Sequence, residues 1–254
     1  MLHSPVPIRE RAAPAQAVRW IISFITLAIC CLAAASGAFA QSGPPAAGGR
    51  AGGGGPVRPP LFFSESWKAL PTPVDDHGEW PAGQAGVASP NLQLSLHGPS
   101  GKEITLVAVR GRADVYPLNL WTGVTTSPVG ATLRDKDNYV DLSDPLAKIR
   151  WVIRTSGFHQ IRPLIRLADG TWLVGDHTTG PSADFNQADV SMPDVRWMKI
   201  DPARMVTVGV WVDRPDLSKV DEVGFADLMP GSGHGSGGYV NVARIEVFGK
   251  PVKR

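Results

Sequence analysis

Four arginines at regular spacing are the residues whose type and placement could do chemistry first. Arg150, Arg154, Arg162 and Arg166 stand in two runs, 147–155 and 161–167, where Ile149, Trp151 and Ile153, then Ile161, Ile165 and Leu167, occupy alternate positions. Alternation of period two puts apolar side chains on one face of a strand and the rest on the other. One face is therefore core and the other arginine-rich. With 156–160 as a hairpin loop, Arg154 falls opposite Arg162 and Arg150 opposite Arg166. Like charges directly opposite destabilise a sheet, so an anionic ligand is expected among them. Guanidinium grips carboxylate or sulfate through paired hydrogen bonds, which suits uronic acid or sulfated polymers. The competing reading is a solvated face balanced by carboxylates of neighbouring strands.

Aromatic and imidazole side chains supply the next candidates. Trp151 and Trp172 alternate with the core set, whereas Trp211 interrupts Val206, Val208, Val210 and Val212 and should point outward, where an indole face can stack on a sugar ring. Trp121, Trp197 and Tyr239 rank behind it. His159, His177 and His234 fall in loops and, with Asp176, could converge on a metal or a hydroxylated ligand. His234 is the only large polar side chain of the glycine-rich run 231–238. Asp135 and Asp137 head an oxygen-rich run that could wrap a hard cation, but Tyr139 and Val140 stand where an EF-hand loop needs a ligand and a glycine. A turn is the simpler reading. A formal G-x-G-x-x-G stands at Gly233–Gly238, but a strand follows it where a dinucleotide fingerprint opens a helix, and no nucleophile-elbow or H-E-x-x-H pattern is complete. Asp221 and Glu222 are adjacent, so on a regular strand they point to opposite faces and do not form the same-face pair that glycoside hydrolysis needs.

The elements that must position these residues read as strands. Residues 91–97 alternate strictly through Leu92, Leu94 and Leu96, and further β-rich runs recur at 104–109, 147–155, 161–167, 171–174, 205–212 and 240–248 between Gly, Pro, Asp and Asn. No sustained helical stripe follows the N-terminal segment. A two-residue turn at Asp169-Gly170 would pair Leu167 with Trp172 and Ile165 with Val174. The expected fold is all-β, a sandwich or a barrel.

Toward the C-terminus come Trp197-Met198-Lys199-Ile200, Val223-Gly224-Phe225 and a closing Ala243-Arg244-Ile245-Glu246-Val247-Phe248-Gly249, while Asp169-Gly170-Thr171-Trp172 forms a D-G-x-W hairpin. Over residues 140–250 the chain resembles galactose-binding-like jelly rolls, the fold of discoidin-type domains and many carbohydrate-binding modules. The resemblance implies a jelly-roll β-sandwich of antiparallel strands and a non-catalytic glycan binder, in a family that often carries a structural calcium. Its acidic ligand on the closing strand would be Glu246, with Glu65 and Asp76 as partners.

The chain has 254 residues, 28 of them Gly and 23 Pro, with 25 basic and 23 acidic side chains. That balance provides no basic field for nucleic acid. Arg9, Arg11 and Arg19 precede an apolar run that ends at Ala38-Phe39-Ala40, the pattern of a cleaved signal peptide. A retained anchor is the other reading. The expected organisation is a signal peptide at 1–40, a flexible Gly/Pro/Ala linker at 41–60 and one β-sandwich domain at 61–254. Both cysteines, Cys30 and Cys31, lie in the apolar run, so the mature chain would hold no disulfide. The sequence thus describes a secreted or periplasmic, non-catalytic domain that binds polysaccharide or other surface polymers, with no membrane span after cleavage. The alternatives are a sandwich enzyme acting on glycosides and an accessory subunit of another exported protein.

Overall fold

The computed structural model describes residues 57–71, 78–108, 113–231 and 237–254. The expected signal peptide, residues 41–56 of the expected linker, Asp76 and His234 lie outside the described residues. In chain order the strands are β1 (Leu61–Glu65), β2 (Glu79–Pro81), β3 (Leu92–His97), β4 (Thr105–Val107), β5 (Asn119–Trp121), β6 (Val129–Asp135), β7 (Asn138–Asp141), β8 (Lys148–Gly157), β9 (Ile161–Leu167), β10 (Trp172–Gly175), β11 (Asn186–Ser191), β12 (Trp197–Asp201), β13 (Val206–Val212), β14 (Val220–Asp227), β15 (Gly238–Phe248) and β16 (Lys250–Lys253). Among the described residues the helical elements are three single 3-10 turns.

All pairings are antiparallel. One sheet runs β11-β8-β15-β5-β4-β2, with β1 also on β15; the other runs β13-β12-β10-β9-β14-β6-β3, with β7 on β14 and β16 on β7. Between them lies one apolar cluster that includes Trp151, Ile153, Ile161, Ile165, Trp197, Phe225, Val242 and Ile245. The fold is the all-β sandwich that the alternation allowed and the jelly roll that the resemblance implied. Trp151 is fully buried, and truncating a tryptophan in such a core costs about 3–5 kcal/mol.

Three expectations of detail are corrected. First, 156–160 is not a hairpin loop. β8 pairs with β11 and β15 in the first sheet, while β9 pairs with β10 and β14 in the second. Ser156 and Gly157 still belong to β8, and 158–160 form a corner between sheets, so the apolar faces of β8 and β9 meet across the core and their arginines point to opposite outer surfaces. The corner prevails because β15 offers β8 a partner along its whole length, and because it separates the like charges that a hairpin would oppose.

Second, the β9–β10 turn has three residues, with Trp172 opposite Arg166 and Leu173 opposite Ile165. Gly170 adopts φ +90, and its N–H reaches the Leu167 carbonyl at 2.9 Å, the geometry of a type I turn with a glycine bulge. A slip of one residue exchanges the faces of a strand. Leu173 therefore goes to the core, and Trp172 is half-buried on the outer surface.

Third, three of the four valines of β13 do not face the core, and only Val212 packs against it. Val206, Val208 and Val210 are each 49% exposed and Trp211 50%. β13 is an edge strand held only by β12, and its register with β12 shifts between Met198 and Ile200. The outer face of the second sheet carries its own small cluster of Leu164, Val174, Ile200, Met205 and Ala226. The turn after β12 folds over toward it, with the Pro202 carbonyl accepting from Gly98 N at 3.0 Å.

Candidate functional site

The outer face of the first sheet gathers a strip of aromatic rings around one predicted residue. Arg154 on β8 stands opposite Asn241 on β15, which stands opposite Trp121 on β5. Val240 and Val242 point into the core, so alternation sends Tyr239 and Asn241 outward. The Arg154 guanidinium lies 5.7 Å from the Tyr116 ring centre and 5.5 Å from that of Tyr239. Tyr116 meets Phe185 edge-on at 5.2 Å, and Trp121 meets Tyr239 edge-on at 6.2 Å. The order across the face is Phe185, Tyr116, Arg154, Tyr239, Trp121, each half-buried.

Polar groups fix the strip from below. Asn241 Nδ2 donates to Asn119 Oδ1 at 2.7 Å and to the Tyr116 hydroxyl at 3.3 Å. Burial pushes the Tyr116 phenol above its ordinary range, while the Arg154 charge pulls against it. Gly123 lies flat under Trp121: a Cβ there would sit 2.3 Å from the indole. Thr122 joins β5 to β15, donating its N–H to the Val240 carbonyl and accepting from Val240 N, both at 3.0 Å.

The other predicted arginines have separate surroundings. Arg150, also on the outer face of the first sheet, grips Asp189 through Nε and Nη2 at 2.7 and 3.0 Å, with Glu246 3.8 Å from Nη1. Arg162 donates to the carbonyls of Gly175 and Asp176. Arg166 reaches Glu222 at 3.1 Å and Asp221 at 3.4 Å. An irregularity between Val220 and Glu222 breaks the alternation of β14, so the two adjacent carboxylates share one guanidinium instead of pointing apart. Glu222 Oε2 also accepts from Thr132 Oγ1, which His97 Nε2 contacts at 2.8 Å.

Trp211, Asp176 and His177 are brought into one chain of contacts. The Arg196 guanidinium covers the Trp211 ring at 4.7 Å, its Nε donates to Asp176 at 2.9 Å, and His177 Nδ1 lies 3.2 Å from the same carboxylate. Burial works against ionisation of Asp176, but Arg196 and His177 outweigh it and hold the carboxyl at about 2. Trp211 and Arg196 line an open cavity of about 610 Å³ with Met192, Pro193 and Leu217. Arg196 and Asp176 thus already occupy each other, and His159 goes elsewhere: it is buried, 2.8 Å from Asp227.

The predicted cation ligands are engaged or divided. Glu65 lies on the core side of β1 and accepts the N–H groups of Trp67, Ala88 and Ser89 at 2.7–3.0 Å. Glu246 faces the opposite side of that sheet beside Arg150 and Arg244, so these two carboxylates cannot share an ion. Asp135 receives Asn91, Asp137 N and Asn138 and closes the β6–β7 turn, while Asp137 is exposed there. No group of three His, Cys, Asp or Glu side chains converges among the described residues.

Tyr116, Phe185 and Asn241 were not singled out in the sequence. Tyr116 and Phe185 lie outside strands, where alternation assigns no face. Asn241 could have been found, since a polar residue between Val240 and Val242 on a strand marks the outer face.

No family model matches the chain, and no curated protein matches it. Among solved structures it is similar to the family 11 carbohydrate-binding module of cellulosomal cellulase Lic26A-Cel5E of Clostridium thermocellum, at 14% identity over 73% of this chain and 95% of that one, with a TM-score of 0.34. It is also similar to the Emp47p carbohydrate recognition domain, at 9% identity over 78% and 100% with a TM-score of 0.34. An exo-beta-agarase gives 12% identity over 65% of this chain and 24% of that one, with a TM-score of 0.38. At such identities and scores nothing about this chain's ligand follows from them.

Proposed function

We propose that this protein is an exported, non-catalytic glycan-binding domain, and that its binding surface is the outer face of the first sheet. The observation that carries the reading is Arg154 held between the rings of Tyr116 and Tyr239 in a strip that continues to Phe185 and Trp121. Aromatic faces offer area for the apolar sides of sugar rings. A guanidinium fixed among them meets a carboxylate or sulfate in two-pronged fashion, so the finer proposal is an acidic glycan. Export rests on the N-terminal arginines, apolar run and Ala38-Phe39-Ala40.

The test is calorimetric titration of the protein with polygalacturonate, heparin and neutral mixed-linkage glucan. Acidic polymers should bind, and Arg154→Ala or Tyr239→Ala should weaken binding about tenfold or more, equivalent to at least ~1.4 kcal/mol. Trp211→Ala should leave it unchanged. Absence of binding to all three polymers would overturn the reading, and a larger loss in Trp211→Ala would move the site to the β13 edge.

The apolar exposure of β13 favours a second reading, that of an accessory subunit. Monomeric proteins seldom present half-exposed valines along an unpaired edge. Under this reading the partner is another exported protein that adds a strand to β13.

A further inference from the structure

The outer face of the first sheet has a concavity at the other end of β8 from the aromatic strip. It measures about 530 Å³, and Arg58, Leu61, Leu146, Lys148, Arg150 and Phe248 form its walls. Lys148 Nζ and the Arg150 guanidinium lie 5.1 and 5.3 Å from the Phe248 ring centre. Asp189, at its rim, takes Lys148 at 2.7 Å and Arg150 at 2.7 Å. Leu61 is 50% and Leu146 38% exposed. The concavity therefore combines apolar walls with three cations and one carboxylate.

Position connects it to the strip. Arg154 and Arg150 are four residues apart on one strand and point to the same face, a separation of about 13 Å at roughly 3.3 Å per residue. Between their rows, Arg244 stands opposite Val152 on β15. Across the adjacent strands β11, β8 and β15, the cations Lys148, Arg150, Arg154 and Arg244 outnumber the carboxylates Asp189 and Glu246. Asp189 and Glu246 both lie at the Lys148–Arg150 end, where Arg58 keeps the balance positive, and Arg154 and Arg244 carry the excess along the rest of the face.

We infer that this concavity is a second subsite for the same acidic polysaccharide, which lies along β8 with one charged sugar on Arg154 and another beside Lys148 and Arg150. The inference rests on the glycan-binding reading above. A chain that spans both points gains from the second contact without paying again for encounter, so affinity rises steeply once the oligomer is long enough. Disaccharides reach one point only.

The test is titration of the protein with oligogalacturonates and heparin oligosaccharides from disaccharide to octasaccharide, at low and moderate salt. In at least one series, affinity should rise about tenfold or more between the shortest and longest oligomers. Leu146→Glu places a carboxylate at an exposed wall without touching the Arg150–Asp189 pair; it should abolish that rise while short-oligomer binding stays as it was. Lys148→Gln should reduce the rise. Unaltered thermal unfolding verifies that each variant is folded. A rise that survives Leu146→Glu, or no dependence on length, overturns the second subsite alone. Failure of the unaltered protein to bind any oligomer overturns the glycan reading itself, and the subsite with it.

Discussion

His159 and Asp227 are both removed from water, and an ionisable pair persists there only if hydrogen bonds replace its hydration. Asp227 Oδ2 accepts from His159 Nδ1 and Thr122 Oγ1, each at 2.8 Å, and Oδ1 accepts from Met229 N at 3.2 Å. Asp227→Ala leaves those donors unmatched and should cost about 3–5 kcal/mol in urea unfolding. Because Thr122 follows Trp121 and clasps Val240 next to Tyr239, the same loss should loosen the aromatic strip. Gly123→Ala acts on the strip directly, since its new Cβ would overlap the indole. It should shift tryptophan fluorescence and weaken acidic glycan binding several-fold while the core stays intact. Asp189 titrates in the opposite sense to a buried acid: hydrogen bonds from Arg150 hold it down to about 2, against a smaller opposing effect of burial and with help from Lys148. Its folded value is depressed below the unfolded ~3.9, so its stabilisation is complete above that value and disappears as pH falls through about 2. At 38% side-chain exposure, screening keeps the contribution within about 1 kcal/mol. A carboxyl NMR titration of Asp189 with a midpoint near 4 would refute the pairing in solution. Arg154 was legible in the sequence as an outward cation, but its tyrosine neighbours were not, because they arrive from distant segments.

Strands were legible because side-chain alternation is a local property. Residues 161–167 match β9 end to end, and 91–97 matches β3 within one residue. Partnership between strands was not legible, because β8 and β9 satisfy the alternation equally well as a hairpin and as a corner. Only β15 and β14, far along the chain, decide between the two. Turn geometry was similarly underdetermined at 168–170, where Asp-Gly fits either a two-residue turn or a three-residue turn with a glycine bulge. The observed turn can be checked: Gly170 has φ +90 and open space where a Cβ would go, so Gly170→Ala meets backbone strain alone and should cost about 1–2 kcal/mol. A neutral effect on chemical denaturation would show that Gly170 does not hold this positive φ in solution. At β13, Val208→Lys and Val210→Lys should leave stability within about 0.5 kcal/mol, since exposed positions contribute little. Both should lower any self-association seen by light scattering, since edge lysines discourage strand pairing.

At the scale of the molecule, sandwich architecture follows from several short alternating strands in a chain long enough to bury two apolar faces. Which outer face is available does not follow, because the small cluster of Leu164, Val174, Ile200 and Met205 on the second sheet is assembled from four separate segments. The compact unit Gly53–Arg254 contains this core without either cysteine. A fragment beginning at Gly53 should therefore unfold cooperatively at a midpoint unaffected by reductant, as measured by circular dichroism. The pairing of β1 with β15 bears on how quickly such a core can form. Trp67 Nε1 bonds to the Val242 carbonyl at 2.8 Å, 175 residues along the chain, so one of the earliest strands to be synthesised must wait for one of the latest. At about 5–20 residues per second, that interval is roughly 10–35 s. Non-local closure of this kind also folds slowly once the chain is complete. Under the proposal that the chain is exported, the delay would keep the nascent polypeptide threadable through a translocation channel until these sheet contacts form on the far side.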